Sequence, residues 1–269
     1  MDHPKSQGSL FPDNVPPVIY EQPLNERIRN CLRLEHLFSG IEYGAIDGSE
    51  WSTRDALSRI LEISDFLSRS DVKGDLIKEL ERQIAVFNTL KDNPSVNIKT
   101  LDKTLDSLDQ SHSALKPSHY QPSALIRADE LAKLVRQRLT IPGGACSFDV
   151  PALHFWLSGD SGSRGILLQK WLKDLRAIET ATRNILRVIR QSSHPRLAKA
   201  SNGFYQEQIS SESIYQIVRI IISRRAAVFP EISGGKHRFS VRFYEQLNTR
   251  ARPIQTEADI EFELHCCGI

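Results

Sequence analysis

Residues 136–157 read RQRLTIPGGACSFDVPALHFWL, and the chain changes character across them. Upstream, apolar residues recur every three or four positions, the period of helices; downstream, most apolar runs alternate or are β-branched, as on strands. The hinge is Pro142-Gly143-Gly144. Proline cannot continue a helix and a glycine pair permits positive φ, so a helix ends there and the backbone turns sharply. Ala145 to Val150 then reads as a short strand, and Pro151 opens a second element carrying His154 and Trp156. The fold class that follows is α+β: an N-terminal α-helical bundle, then a C-terminal antiparallel β domain with one long helix.

Back from the hinge, Asp129 and Glu130 lead and Lys133, Arg136 and Arg138 trail in the helix that reaches it, an order that suits the helix dipole at both ends. Ser111 to Ser123 holds Pro117 and Pro122 and reads as a loop. Ile98, Leu101, Leu105 and Leu108 mark one helix; Val72, Leu76, Leu80, Ile84, Phe87 and Leu90 mark another, ending near Asn93-Pro94. Ser52 with Asp55 starts a third, whose stripe is Ala56, Ile60, Ile63 and Leu67 and which Arg69-Ser70-Asp71 interrupts. Gly40 to Ser49 is a loop; Leu24, Ile28, Cys31 and Leu32 keep helical spacing before it. The bundle thus has four or five members.

Forward of the hinge, Leu167, Trp171, Leu175, Ile178, Ile185 and Ile189 predict a long helix that His194-Pro195 ends. Phe204 to Ile209 and Ile214 to Ser223 read as strands, the second isoleucine-rich enough to be buried on both faces. Ser233-Gly234-Gly235 is a turn. Residues 236–244 then alternate, with Phe239, Val241 and Phe243 on one face and Lys236, Arg238, Ser240, Arg242 and Tyr244 on the other. The last strand sets Ile260, Phe262 and Leu264 against Glu261, Glu263 and His265. The expected organisation is a disordered tail over 1–17, a short strand over 18–23 joining the β domain, an α-helical domain over 24–142 and a β-rich domain over 143–269.

A chain of 269 residues is long enough for a substantial core, and no run approaches the ~18 apolar residues of a membrane span. The N-terminus lacks a basic-then-apolar secretory pattern. Four cysteines without a CxxC pair point to a reducing cytoplasm rather than a disulfide framework. Net charge is only +2, yet Arg164 to Arg252 carries 17 Lys and Arg against 6 Asp and Glu, a local excess of +11. Such asymmetry calls for an acidic partner: nucleic acid, an acidic protein segment or an anionic membrane surface.

Lys236, Arg238 and Arg242 project together along roughly 20 Å of one strand face, where guanidiniums can take carboxylates of an acidic peptide in bidentate fashion. The competing reading pairs the last strand alongside, so that Glu261 and Glu263 neutralise them as a surface ladder. Cys146, Asp149 and His154 outline an alternative, a cysteine hydrolase with Gly143-Gly144 beside an oxyanion hole, but the spacing fits no nucleophile elbow. His265, Cys266 and Cys267 make no metal site by themselves, since period two turns Cys266 away from the other two. No nucleotide loop follows the glycine pair, and no cofactor is expected. Nucleic-acid binding, a second alternative, lacks helix-turn-helix or zinc-finger spacing, and Phe239 and Phe243 face the core rather than offering stacking platforms.

The hinge stretch also resembles the signature of the ZapD family of bacterial cell division proteins. Further matching blocks are YEQPLNERIRNCLRLEHLF (20–38), LIKELERQ (76–83), SNGFYQ (201–206), FPEISGGKHRFSVRF (229–243) and FELHCC (262–267), in family order. The resemblance implies a non-enzymatic homodimer, cytoplasmic and at the midcell septum, that binds the C-terminal tail of the tubulin-like GTPase FtsZ and bundles its filaments. It implies neither nucleic-acid binding nor membrane insertion. Carried over by motif, the residues for FtsZ are Arg33, Arg69, His154, Arg238 and Arg242, to which the strand pattern adds Lys236. One position departs: Glu130 stands where a relative has a basic residue, with Arg127 one turn earlier.

Overall fold

A computed structural model describes residues 16–44, 48–210, 214–235 and 237–269, so most of the expected tail and Lys236 lie outside the described residues. The chain divides into two compact units, Asn30–Leu186 and a second made of Met1–Arg29 with Arg187–Ile269. Residues 143–186, which the sequence reading places in the β-rich half, group with the helices.

The helices in chain order are α1 (Glu26–Gly44), α2 (Glu50–Arg69), α3 (Val72–Thr89), α4 (Ile98–Leu115), α5 (Ala124–Ala128), α6 (Glu130–Arg138), α7 (Pro151–Leu157) and α8 (Ser161–Gln191). The starts of α2, α3, α4 and α6 follow from capping chemistry, because the first amides of a helix have no partner within it. Asp71, Asn97 and Asp129 accept from the amides of Gly74, Thr100 and Ala132 at 3.0, 3.2 and 3.0 Å. Ser49, not Ser52, caps α2: the Ser52 amide donates to the Ser49 hydroxyl at 3.2 Å. Helix α1 runs on to Gly44 through the expected loop. Likewise α4 reaches Leu115, since buried Ser111 and Leu115 extend its inner stripe and no proline intervenes before Pro117.

The expected strand at 145–150 is a run of turns. Gly143 sits at φ +71°, and the amides of Gly144, Cys146 and Val150 bond back to Ile141, Gly143 and Cys146 at 2.8, 3.1 and 3.0 Å. Local bonds satisfy the backbone there, so none is left for a strand partner. The loop after α4 is held from two sides. Lys73 Nζ donates to the carbonyls of Pro117 and Tyr120 at 3.0 and 2.8 Å, and the Tyr120 hydroxyl donates to the Asp174 carbonyl of α8 at 2.9 Å.

The strands are β1 (Val18–Pro23), β2 (Arg196–Ala200), β3 (Phe204–Gln208), β4 (Ile217–Ile222), β5 (Val228–Gly234), β6 (Arg238–Glu245), β7 (Ile254–Gln255) and β8 (Ile260–Cys267). They form two antiparallel sheets, β1-β4-β8-β2 and β3-β6-β5, with β7 added to β6. Val218, Ile220, Ile222, Phe262 and Leu264 of the first share one core with Phe239, Val241 and Phe243 of the second. Phe262 meets Phe243 at 5.2 Å between ring centroids and Tyr205 edge-on at 5.4 Å. Burying an aromatic or branched side chain contributes about 1.5–3 kcal/mol, so this aromatic cluster dominates the unit. Ser233 and Gly234 belong to β5 rather than to a turn, and the hairpin closes where Gly235 N–H donates to Arg238 O at 3.0 Å. Strand β4 starts at Ile217, later than expected.

The other face of the first sheet carries an ion-pair network. Glu21 accepts from Arg190 at 2.7 and 2.8 Å and lies 2.8 Å from its cross-strand neighbour Arg219. Such a partly buried carboxylate is tolerable because two guanidiniums offset its desolvation.

Burial, reinforced by the charge of Asp174, pushes the Tyr120 phenol up to about 12. The folded chain therefore keeps a proton that the unfolded chain loses near the ordinary value of 10.0, and this stabilisation is complete below that pH and lost as pH rises towards about 12. Tyr120→Phe should cost about 1 kcal/mol at neutral pH through the lost hydrogen bond. In chemical denaturation series the gap to the parent protein should close progressively over that alkaline window; a gap independent of pH would disprove the assignment.

Candidate partner-binding groove

Strand β6 lies between β3 and β5, and in antiparallel pairs residues directly opposite one another share a face. Because Phe239, Val241 and Phe243 are 1, 0 and 0% exposed, Arg238, Ser240 and Arg242 must point the other way. Arg242 is flanked in register by Phe204 and Glu231, Ser240 by Gln206 and Ser233, and Arg238 by Gln208. Phe204, Gln206, His237, Arg238, Ser240 and Arg242 line an open groove of about 500 Å³.

The expected neutralising ladder is absent for a topological reason: β8 pairs with β4 and β2 in the other sheet, so Glu261 and Glu263 are not neighbours of β6. Glu263 meets His265 at 2.5 Å, and Glu261 stands opposite Lys199. Other carboxylates of this unit are also taken. Glu207 pairs with Arg196 and accepts from the Tyr205 hydroxyl at 2.5 Å; Asp259 pairs with Lys199 at 2.8 Å, which holds its carboxyl below the usual range. Among the described residues, neither Arg238 nor Arg242 forms an ion pair. Arg242 instead lies over the Phe204 ring, its guanidinium carbon 5.3 Å from the centroid.

The remaining residues from the sequence reading lie on separate helices. Arg33 is exposed on α1 and Arg69 is the exposed last residue of α2. His154 is exposed on α7 and lines a mainly apolar groove of about 710 Å³ with Trp51, Leu139 and Ile141, a lining that includes neither Arg33 nor Arg69. Glu130 pairs with Lys133 at 2.6 Å, and Arg127 donates to the Pro122 carbonyl at 3.4 Å. Of the hydrolase residues, Cys146 and His154 line the same apolar groove and the Cys146 thiol donates to Asp149 at 3.3 Å, but no hydrogen bond joins Cys146 to His154 among the described residues. No cluster of three metal-ligating side chains occurs among the described residues.

Sequence reasoning missed Phe204, Gln206 and His237 as parts of the groove. His237 directly precedes Arg238, but the two β3 residues lie more than thirty positions away. The adjacent aromatics Phe204-Tyr205 also hide which ring faces out; only their burial, exposed for Phe204 and partial for Tyr205, separates them.

Arg238→Gln and Arg242→Gln should each change stability by no more than about 0.5 kcal/mol, whereas Phe239→Ala should cost about 3–5 kcal/mol. Urea unfolding curves of the three variants check this. A large loss from either arginine change would make these residues structural.

Comparison with known proteins agrees with the pattern of blocks. The family model described as "ZapD: Cell division protein" matches residues 32–242. A "Cell division protein ZapD" of Azoarcus sp. is 36% identical over 94% of this chain and 100% of its own length. Proteins of the same description from Ralstonia pickettii and Methylococcus capsulatus are 35% and 34% identical, each over 93% of this chain and 99% and 98% of their own. Similarity at this level along nearly the whole of both chains means that this chain belongs to the ZapD family of cell division proteins.

Proposed function

We propose that this chain is a non-enzymatic cross-linker of division filaments, which takes the acidic C-terminal tail of FtsZ in the groove on β6. One observation carries the reading: Arg238 and Arg242 stand exposed on one strand face, without a carboxylate partner among the described residues, in a unit whose other carboxylates are largely engaged. A guanidinium presents a planar fork that binds a carboxylate through two parallel charge-assisted hydrogen bonds. Four residues along a strand separate the two backbone positions by about 13 Å, so an extended peptide with carboxylates at that spacing satisfies both. Lys236, Arg33, Arg69 and His154 join the proposal through family likeness and strand pattern.

Exposed contacts of this kind are individually weak. Cross-linking therefore calls for repetition: a symmetric homodimer presents the groove twice, and a filament presents its tails many times, so modest affinities multiply. We place this activity in the cytoplasm at the division septum.

Arg238→Glu combined with Arg242→Glu should abolish co-sedimentation with FtsZ filaments while leaving the circular dichroism spectrum and the oligomeric state unchanged. Co-sedimentation that persists in this double variant, or with wild-type protein on filaments lacking the tail, would remove the groove from the function. Bundling measured by light scattering should fall as salt rises, because exposed charges are screened over ~8–10 Å near physiological ionic strength. Bundling indifferent to salt would mean that arginine–carboxylate contacts do not carry it.

A further inference from the structure

The guanidinium of Arg242 has a choice of neighbours. In register on β5 stands Glu231, and in register on β3 stands Phe204. It takes the ring: the guanidinium carbon lies 5.3 Å from the Phe204 centroid, and no ion pair with Glu231 forms among the described residues. Phe204 remains 37% exposed, an unusual position for a phenylalanine on a strand, and it lines the groove with Arg238 and Arg242. The partner ring Tyr205 turns inward to Phe239 and Phe262, so the core does not require a second aromatic on the outer face.

We propose that Phe204 is a positioning and specificity-determining residue of the groove, a deepening that rests on the acidic-peptide reading above. The Arg242 guanidinium carbon sits over the ring, 5.3 Å from its centroid, and the residue stays exposed to the groove. An arginine free in solvent must give up rotamer freedom to bind a carboxylate in bidentate geometry. Held over the Phe204 ring, it has already lost part of that freedom, so binding costs less. Because Phe204 on β3 and Glu231 on β5 flank β6 from opposite sides, a guanidinium drawn over the ring is drawn away from Glu231, which keeps the cation available to an outside carboxylate. The uncovered surface of the ring offers a seat for an apolar side chain next to that carboxylate. The groove thus selects a peptide in which an acidic residue stands beside an apolar one, over a purely acidic chain.

The test is fluorescence anisotropy with a fluorescein-labelled FtsZ tail peptide and the full chain. The variants are Arg242→Gln, Phe204→Leu and Phe204→Trp, with thermal melts to confirm folding. Arg242→Gln should weaken binding at least about ten-fold, the loss of a charged hydrogen-bond pair. Phe204→Leu, which keeps apolar bulk but no ring, should weaken it about two- to five-fold, and Phe204→Trp should hold or tighten it. Nuclear magnetic resonance supplies a readout that a packing role would not move. The Arg242 Nε–H signal, identified by its loss in Arg242→Gln, should be shifted upfield by the ring in wild type and Phe204→Trp, and not in Phe204→Leu. If Arg242→Gln abolishes binding while Phe204→Leu binds as wild type, the positioning role is overturned and the groove stands. If Arg242→Gln binds as wild type, the groove reading falls and the role of Phe204 falls with it.

Discussion

Strand β6 can bury Phe239, Val241 and Phe243 only by turning Arg238, Ser240 and Arg242 outward, because successive side chains on a strand alternate. The three apolar residues are locked against Phe262 and the isoleucines of the opposite sheet, so the register of β6 is set by the core. A slip of one residue would place both guanidiniums inside and both phenylalanines in water. The basic face is therefore a consequence of packing, and its geometry is as rigid as the sandwich beneath it. Cations on a core strand are held in place in advance, unlike cations on loops, which must be ordered when a ligand arrives.

The charges of the β-rich unit are sorted rather than scattered. Glu21 serves Arg190 and Arg219, Glu207 serves Arg196, Asp259 serves Lys199 and Glu263 serves His265. Most of these pairs lie on the first sheet or at its edge, where they offset one another. On the second sheet, Arg242 stands in register between Phe204 and Glu231 and lies over the ring, Arg238 stands opposite Gln208, and neither forms an ion pair among the described residues. Part of the regional excess of positive charge in the sequence thus stands, without an ion pair among the described residues, on one face of β6.

The helical unit is organised by other means. Capping side chains start most of its helices, a clamp of Lys73 and Tyr120 ties down the connection between α4 and α5, and buried Arg164 holds the carbonyls of Leu157, Gly159 and Gly48. Three carbonyl acceptors around one guanidinium offset much of the cost of taking its N–H groups out of water. Its surface retains Trp51, Phe148 and Phe155 at 80, 82 and 83% exposure, beside the exposed His154. The two units thus offer different chemistries: apolar and aromatic surface on the helices, planar cations on the sheet.

The sequence by itself determined the α+β class, the helices α2, α3 and α6 nearly to their ends, the long α8 and the two faces of β6. These are local properties: a period of 3.6 or 2 and a capping side chain act within a few residues. The tertiary structure alone decided that β8 joins β4 and β2 rather than β6, that β3 and β5 flank β6, and that Phe204 lies under Arg242. Strand pairing runs through backbone hydrogen bonds that are the same for every residue, so alternation says which face a side chain occupies but not which strand lies beside it. It also decided that residues 145–150 close on themselves as turns, since a proline, two glycines and a second proline satisfy the backbone locally before any sheet can. Whether two arginines were neutralised or free could be read only once the neighbouring strands were known.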